Sequence, residues 1–209
     1  MTEDEIKRLI DYFEMNAKKY LQDNFSINEA NRFSSTFNEL LIKNNPFFPD
    51  LLARRLGINP VLVLTLATIL EEKDKSFDYL KKHVLAIYDL IMGDYLKNLQ
   101  HNFENTDQQW DSFIKYIVKG NNINYDNSYF ELEVVEKSLT TFKFDIKKCL
   151  YFETLKRNGR PDLGPILCAY DFLLSDSIHQ WVKFERKKTI ANGNHSCQFR
   201  YIRDNVSYE

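Results

Sequence analysis

At 209 residues, 44% of them hydrophobic and 28% charged, the chain is long enough to bury a full core without disulfide or metal staples. Its 16 Phe and 12 Tyr argue against disorder, and a formal charge of −2 gives no reason to expect nucleic acid as a partner. The basic runs Lys147-Lys148 and Arg186-Lys187-Lys188 are short and interrupted by acids.

The N-terminus reads MTEDEIKRLI, acidic and amphipathic, without the apolar core of a signal peptide. The most apolar run, PVLVLTLATIL at 60–70, is about half the length of a membrane span, so no membrane is expected. Three cysteines, Cys149, Cys168 and Cys197, cannot all pair. With no signal segment they predict reduced thiols and a cytoplasmic location.

Helices come first. Ile6, Leu9, Ile10 and Phe13 recur at helical spacing, with Tyr20 and Leu21 extending the stripe. Ser26-x-x-Glu29 reads as a capping box for a second helix with Phe33, Phe37, Leu40 and Leu41 on its apolar face. Asn45-Pro46 closes it. A short helix over Phe47–Leu56 should stop at Gly57, and Pro60 should open a buried central helix reaching Glu72. Ser76 caps the next, with Leu80, Val84, Ile87, Tyr88, Ile91 and Tyr95 in register. Trp110, Phe113, Ile114 and Ile117 predict a further helix ending near Gly120, before a surface loop at 118–128.

Then the period changes. Residues 129–135 and 139–146 alternate as strands around a tight turn near Glu136-Lys137. A helix ended by Gly159 follows, and Gly164-Pro165 opens another running to about Gln180. The stretch WVKFERKKTIANGNHSCQFRYIR is two β runs around Asn192-Gly193-Asn194. The expected architecture is one α+β domain over 1–209. A helical layer at 1–120 packs on a C-terminal antiparallel sheet, and 129–203 carry the site in β-β-α-α-β-β order.

GPILCAYDF at 164–172 places Cys168 in the first turn of a helix begun at Pro165, where unpaired N–H groups favour a thiolate. Asp171 follows three residues on. A carboxylate there raises rather than lowers a thiol pKa, which suits Asp171 to handling a substrate proton or orienting an amino group. Tyr170, next to it in sequence, points elsewhere on the helix. The bland alternative is a buried cysteine filling a gap. His195 and Cys197, two apart on a strand, would share a face as an acid–base pair, or be a turn histidine beside a core cysteine. Arg186, mid-strand beside Phe184, offers a planar fork for a carboxylate, or belongs to a charged edge strand. Cysteine gaps of eighteen and twenty-eight residues lack the close pairs of zinc sites, so no metal is expected. His83, His101 and His179 have no second ligand nearby. No dinucleotide or phosphate-loop motif occurs, and no cofactor is expected.

The order of these residues, FDIKKCLY, then CAYD, then FERKKTIANG, then CQFRY, resembles the L-2-amino-thiazoline-4-carboxylic acid hydrolase family over about residues 139–203. The layout is also similar to the small-molecule-binding domain of 4-vinyl-reductase-like proteins. The family resemblance rests on Cys149, Cys168, Asp171, Arg186, Gly193 and Cys197. It implies a small-molecule hydrolase acting on a C–N or C–S bond of a thiazoline or amidine-like ring and yielding N-carbamoyl-L-cysteine. Cys168 would be nucleophile or thiol ligand, Asp171 proton handler, and Arg186 the carboxylate clamp. Cys149, Cys197 and Tyr170 would bind substrate. The role of His195 comes only from the strand argument. The competing expectation is a non-catalytic binding or sensor domain, and the aromatic helical layer makes a homodimer face possible.

Overall fold

Polar caps start the N-terminal helices. In the computed structural model, which describes residues 1–204, Thr2 and Glu5 form a reciprocal capping box at the start of α1 (Glu3–Asn24). Ser26 accepts from the Asn28 N–H to open α2 (Ile27–Asn44), while Glu29 turns toward Lys73 at 2.7 Å. Asp50 accepts from the Ala53 N–H at 2.8 Å and opens α3 (Leu51–Leu70).

That third helix corrects two expectations. It runs unbroken through Gly57 and keeps Pro60 inside it, although proline deletes one helical hydrogen bond. Gly57 is no stop. A Cβ built there would lie 2.3 Å from the ring of Phe48, so the residue is glycine because the tip of that ring packs against the helix backbone. The continuous helix is also 20 residues long, enough by length and composition to cross a membrane, with 72% of its most apolar window buried inside the protein.

The chain divides into two compact units, each drawn from two stretches of sequence. The first takes residues 1–93 and 150–170. Here α1 and α2 pack on each other and on α3, and α3 also packs against α6 (Leu150–Arg157) and α7 (Gly164–Cys168). Its core is apolar on every side of α3: Ile58, Val61, Leu62, Val63, Leu66 and Ile69 are fully enclosed, as are Phe33 and Phe37. The last three residues of the α3 region are tied down by charge. Arg160 grips Glu71 through both guanidinium nitrogens, Arg32 grips Glu72 the same way, and Lys73 meets Glu29.

The second unit takes residues 94–149 and 171 onward. The helix α4 (Phe77–Glu104) gives it its last turns, and α5 (Gln109–Asn124) follows. The loop expected at 118–128 is helical as far as Asn124, because Ile117 and Asn121 keep the buried face of α5 going past Gly120. Four strands, β1 (Leu132–Lys137), β2 (Thr141–Ile146), β3 (Val182–Glu185) and β4 (Cys197–Arg203), form one antiparallel sheet in the order β1-β2-β4-β3. The first strand begins and ends later than expected, and Ser138 makes the turn by accepting from the Thr141 N–H.

On the inner face of the sheet, Phe142, Phe144 and Ile146 alternate with outward Thr141, Lys143 and Asp145, and Cys197, Phe199 and Tyr201 do the same on β4. Register pairs Phe144 with Phe199 and Ile146 with Cys197. Between the hairpins, the single helix expected from Gly164 to Gln180 is broken at Ala169-Tyr170 into α7 and α8 (Asp171–Ser177). The protein is therefore α+β, helices N-terminal and sheet C-terminal.

Candidate functional site

Two groups distant in sequence meet on the inner side of the sheet in the second unit. Asp171 is the first residue of α8, and Arg186 follows the last residue of β3. Arg186 Nη1 donates to Asp171 Oδ2. The arginine side chain is only 4% exposed and the aspartate 17%, so the carboxylate is the less enclosed end of the pair. The guanidinium carbon lies 5.1 Å above the Phe172 ring and 5.4 Å above the Phe199 ring, a cation held between two aromatic faces. Burial pushes the Asp171 carboxyl up from the ordinary aspartate range, against the opposing pull of Arg186.

Phe184 knits this cluster together. Its ring centroid is 5.1 Å from Phe172, 6.0 Å from Phe199 and 4.8 Å from Tyr201, on which it stacks. The phenol of Tyr201 is raised by burial first and then by Asp171, with Arg186 pulling it back. Beside them the Cys197 sulfur accepts the Ile190 N–H at 3.2 Å. Its thiol is pushed up, chiefly by burial, so it is held as a thiol at neutral pH. On the outer face of β2 and β4 a second ion pair, Arg200 to Asp145 at 2.6 Å, stands apart from the aromatic layer.

Of the residues singled out in the sequence, Asp171, Arg186 and Cys197 come together here. The strand that was to carry Arg186 ends at Glu185, and the strand that was to carry His195 begins at Cys197. His195 therefore sits exposed in the turn that follows Gly193, a residue at φ +81°. The side-by-side projection expected of His195 and Cys197 is not formed, because only one of them is in extended pairing. Cys168 closes the five-residue helix α7 instead of opening a long one. The N–H groups of a helix start are thus not at its sulfur, and it does not share a helix with Asp171. Tyr170, like Cys168, belongs to the first unit, where it stacks on Tyr88 at 5.1 Å. Cys149 lies half-buried just before α6. All three cysteines are thiols, and among the described residues no three His, Cys, Asp or Glu side chains converge as metal ligands.

The family model described as L-2-amino-thiazoline-4-carboxylic acid hydrolase matches residues 58–201. The chain belongs to that family. The match starts inside α3, well before the β region at 139 on which the resemblance was drawn, so the hydrolase family pattern includes helices of the first unit. No curated protein matches the chain. Among solved structures, an Fe(II) unliganded H-NOX protein from K. algicida is 11% identical, with 94% of this chain and 97% of that one covered and a TM-score of 0.39. An H-NOX domain from Shewanella oneidensis in an Fe(II)CO ligation state is 12% identical, with coverage of 92% and 98% and a TM-score of 0.41. Likeness at that level carries no argument about this hydrolase-family chain.

Sequence reasoning had not assigned Phe172, Phe199 and Tyr201 to the site. The alternation CQFRY already set Cys197, Phe199 and Tyr201 on one face, but nothing local indicated that Arg186 would fold back over that face.

Proposed function

We propose that the protein is a hydrolase of a small thiazoline- or amidine-containing acid, and that Asp171 is its working carboxylate. The observation that carries this reading is the Asp171–Arg186 pair enclosed by Phe172 and Phe199. An amidine presents two N–H groups in a plane, which a carboxylate accepts in parallel. A carboxyl raised by burial is better matched to taking and returning a proton near neutrality than one in water. Arg186, buried and committed to Asp171, orients that carboxylate and does not serve as the substrate's own clamp.

In the reaction, one water adds to the carbon between nitrogen and sulfur. Asp171 takes one proton from that water and passes it to the ring nitrogen as the carbon–nitrogen double bond becomes single. The bond from carbon to ring sulfur then breaks as the new hydroxyl becomes the carbamoyl carbonyl, and the departing sulfur receives the hydroxyl's proton through Asp171. The product is a thiol carrying a carbamoyl nitrogen, and no redox partner is needed. Water is the nucleophile favoured here. Cys197 is held as a thiol by burial, and Cys168 does not open a helix whose N–H groups would favour its thiolate.

The test is turnover of 2-amino-thiazoline-4-carboxylate, followed by release of thiol, for wild type, Cys168→Ser and the double variant D171N/R186Q. That double variant exchanges the ion pair for a neutral amide pair and leaves no lone buried charge. Loss of thiol release in a folded D171N/R186Q, with Cys168→Ser active, is the expected result. A folded double variant with wild-type turnover overturns the assignment, and loss in Cys168→Ser alone transfers the chemistry to the thiol. Binding of the thiazoline without any thiol release would give the site to a non-catalytic ligand-binding role.

A further inference from the structure

The turn between β1 and β2 carries a leucine that its own geometry does not need. Leu139 is 84% exposed. The turn is held by Ser138, whose hydroxyl accepts the Thr141 N–H at 3.0 Å and donates to the Thr141 carbonyl at 3.3 Å. Beside the turn lies a groove of about 510 Å³, formed with the first two turns of α5. Trp110 and Ile114, 4% and 6% exposed, give it an apolar lining, and Phe113 backs the indole with ring centroids 6.1 Å apart. The volume falls within the roughly 300–1,000 Å³ of small-molecule sites.

The rest of the lining is charged. Lys115 and Lys137 line the groove and are exposed. Among the described residues neither is in an ion pair, whereas in the same unit Lys143 meets Glu136 at 2.6 Å and Lys147 meets Glu133. Asp111, one turn before Lys115 on α5, is the one carboxylate among the lining residues. Two cations against one acid leave the groove net positive. Exposed apolar surface rimmed by polar groups marks a binding groove, and lysine stems lie along apolar ground while holding their ammonium groups at its edge. Such a groove complements a ligand with an apolar body and a negative end.

We propose that this groove binds a small anionic amphiphile, whose apolar chain lies against Trp110, Ile114 and Leu139 while Lys115 and Lys137 hold its carboxylate. None of the lining residues belongs to the cluster of Asp171, Arg186, Phe172 and Phe199, so the inference does not depend on the reading of Asp171 given above. The two ammonium groups select an anion over a neutral or cationic ligand with the same chain. Asp111 opposes them and sets an upper bound on the affinity.

The experiment titrates the full chain with octanoate, octanol and octyltrimethylammonium, one chain length with a negative, a neutral and a positive head. Affinity is read by calorimetry and tryptophan fluorescence. Octanoate should bind tightest, and added salt should weaken it but not octanol. At exposed positions each lysine corresponds to about a 1.5- to 5-fold effect, so the double variant K115Q/K137Q should weaken octanoate roughly 2- to 25-fold and leave octanol unchanged. Asp111→Asn should tighten octanoate by about 1.5- to 5-fold. Leu139→Ser, at an exposed turn position outside the core, should weaken octanoate and octanol alike. No octanoate binding to wild type, or octanoate no tighter than octyltrimethylammonium, overturns the assignment. So does octanoate affinity unmoved by K115Q/K137Q and by Leu139→Ser. A dimer in sedimentation that Leu139→Ser dissociates overturns it as well, by giving the groove to a second copy of the chain.

Discussion

Replacing Gly57 with alanine tests the packing on which the first unit depends. The methyl would sit 2.3 Å from two carbons of the Phe48 ring and 2.8 Å from a third, against ordinary carbon contacts of about 3.5–4.0 Å. The ring must retreat by more than an ångström, and it is only 3% exposed now. Driving a phenylalanine out of its buried seat costs about 1.5–3 kcal/mol. Alanine returns about 1 kcal/mol of helix propensity. Gly57→Ala should therefore destabilise by about 0.5–2 kcal/mol. For a chain of this size that is a fall in Tm of about 1–8 °C. In the background of Phe48→Ala the clash is gone and only the propensity remains, so the same substitution should stabilise by about 1 kcal/mol. Urea denaturation of the four proteins, compared at constant m, measures both steps. If Gly57→Ala is as stable as wild type, or if its effect has the same sign with and without Phe48, the close-approach account of Gly57 is wrong.

Glu29 is held down at about 2 by Lys73 first and Ser26 second. A carboxyl with a lowered folded value contributes stability above its unfolded pKa and loses it as pH falls. Glu29→Gln should thus remove acid-dependent stability between about pH 4.5 and 2, read from unfolding midpoints across that window. His83 hydrogen-bonds Tyr20 at 2.7 Å among the rings of Tyr20, Phe25 and Tyr79. Burial lowers its pKa, with Lys82 adding to the shift. Its imidazole should titrate below the ordinary histidine value of about 6.5 by NMR, and His83→Gln should flatten the loss of stability as pH falls below that value. A His83 signal titrating at or above about 6.5 would refute that enclosure. The Cys197 thiol, buried and pushed up, should resist alkylation at neutral pH in the folded protein and label in denaturant. Rapid native labelling mapped to Cys197 would contradict its burial.

What could be read from the sequence was what depends on neighbours along the chain. The stripe Ile6, Phe13, Ala17 and Leu21 buries one face of α1, and Thr2 with Glu5 caps it. The alternation of Phe142, Phe144 and Ile146 buries one face of β2. These periods of 3.6 and 2 are geometric consequences of backbone hydrogen bonding, so they survive without tertiary knowledge. The order of Cys, Asp, Arg and Cys was enough to suggest the family that the match over residues 58–201 shows.

Tertiary structure decided the rest, each time by overriding a local signal. Gly57 and Pro60 read as helix punctuation, but Phe48 requires the missing Cβ and the enclosed apolar sides of α3 outweigh the proline. Pro165 promised a long helix with Cys168 and Asp171 on one face; the break at Ala169-Tyr170 instead makes Asp171 the first residue of α8. Arg186 lies fifteen residues from Asp171, and no periodicity links positions across a helix, a strand and a turn. Their pairing, and the placement of Tyr201 one ring beyond, follow from which faces the sheet and α8 bury against each other. That choice is made by the free energy of the assembled core, to which every segment contributes and which no single segment encodes.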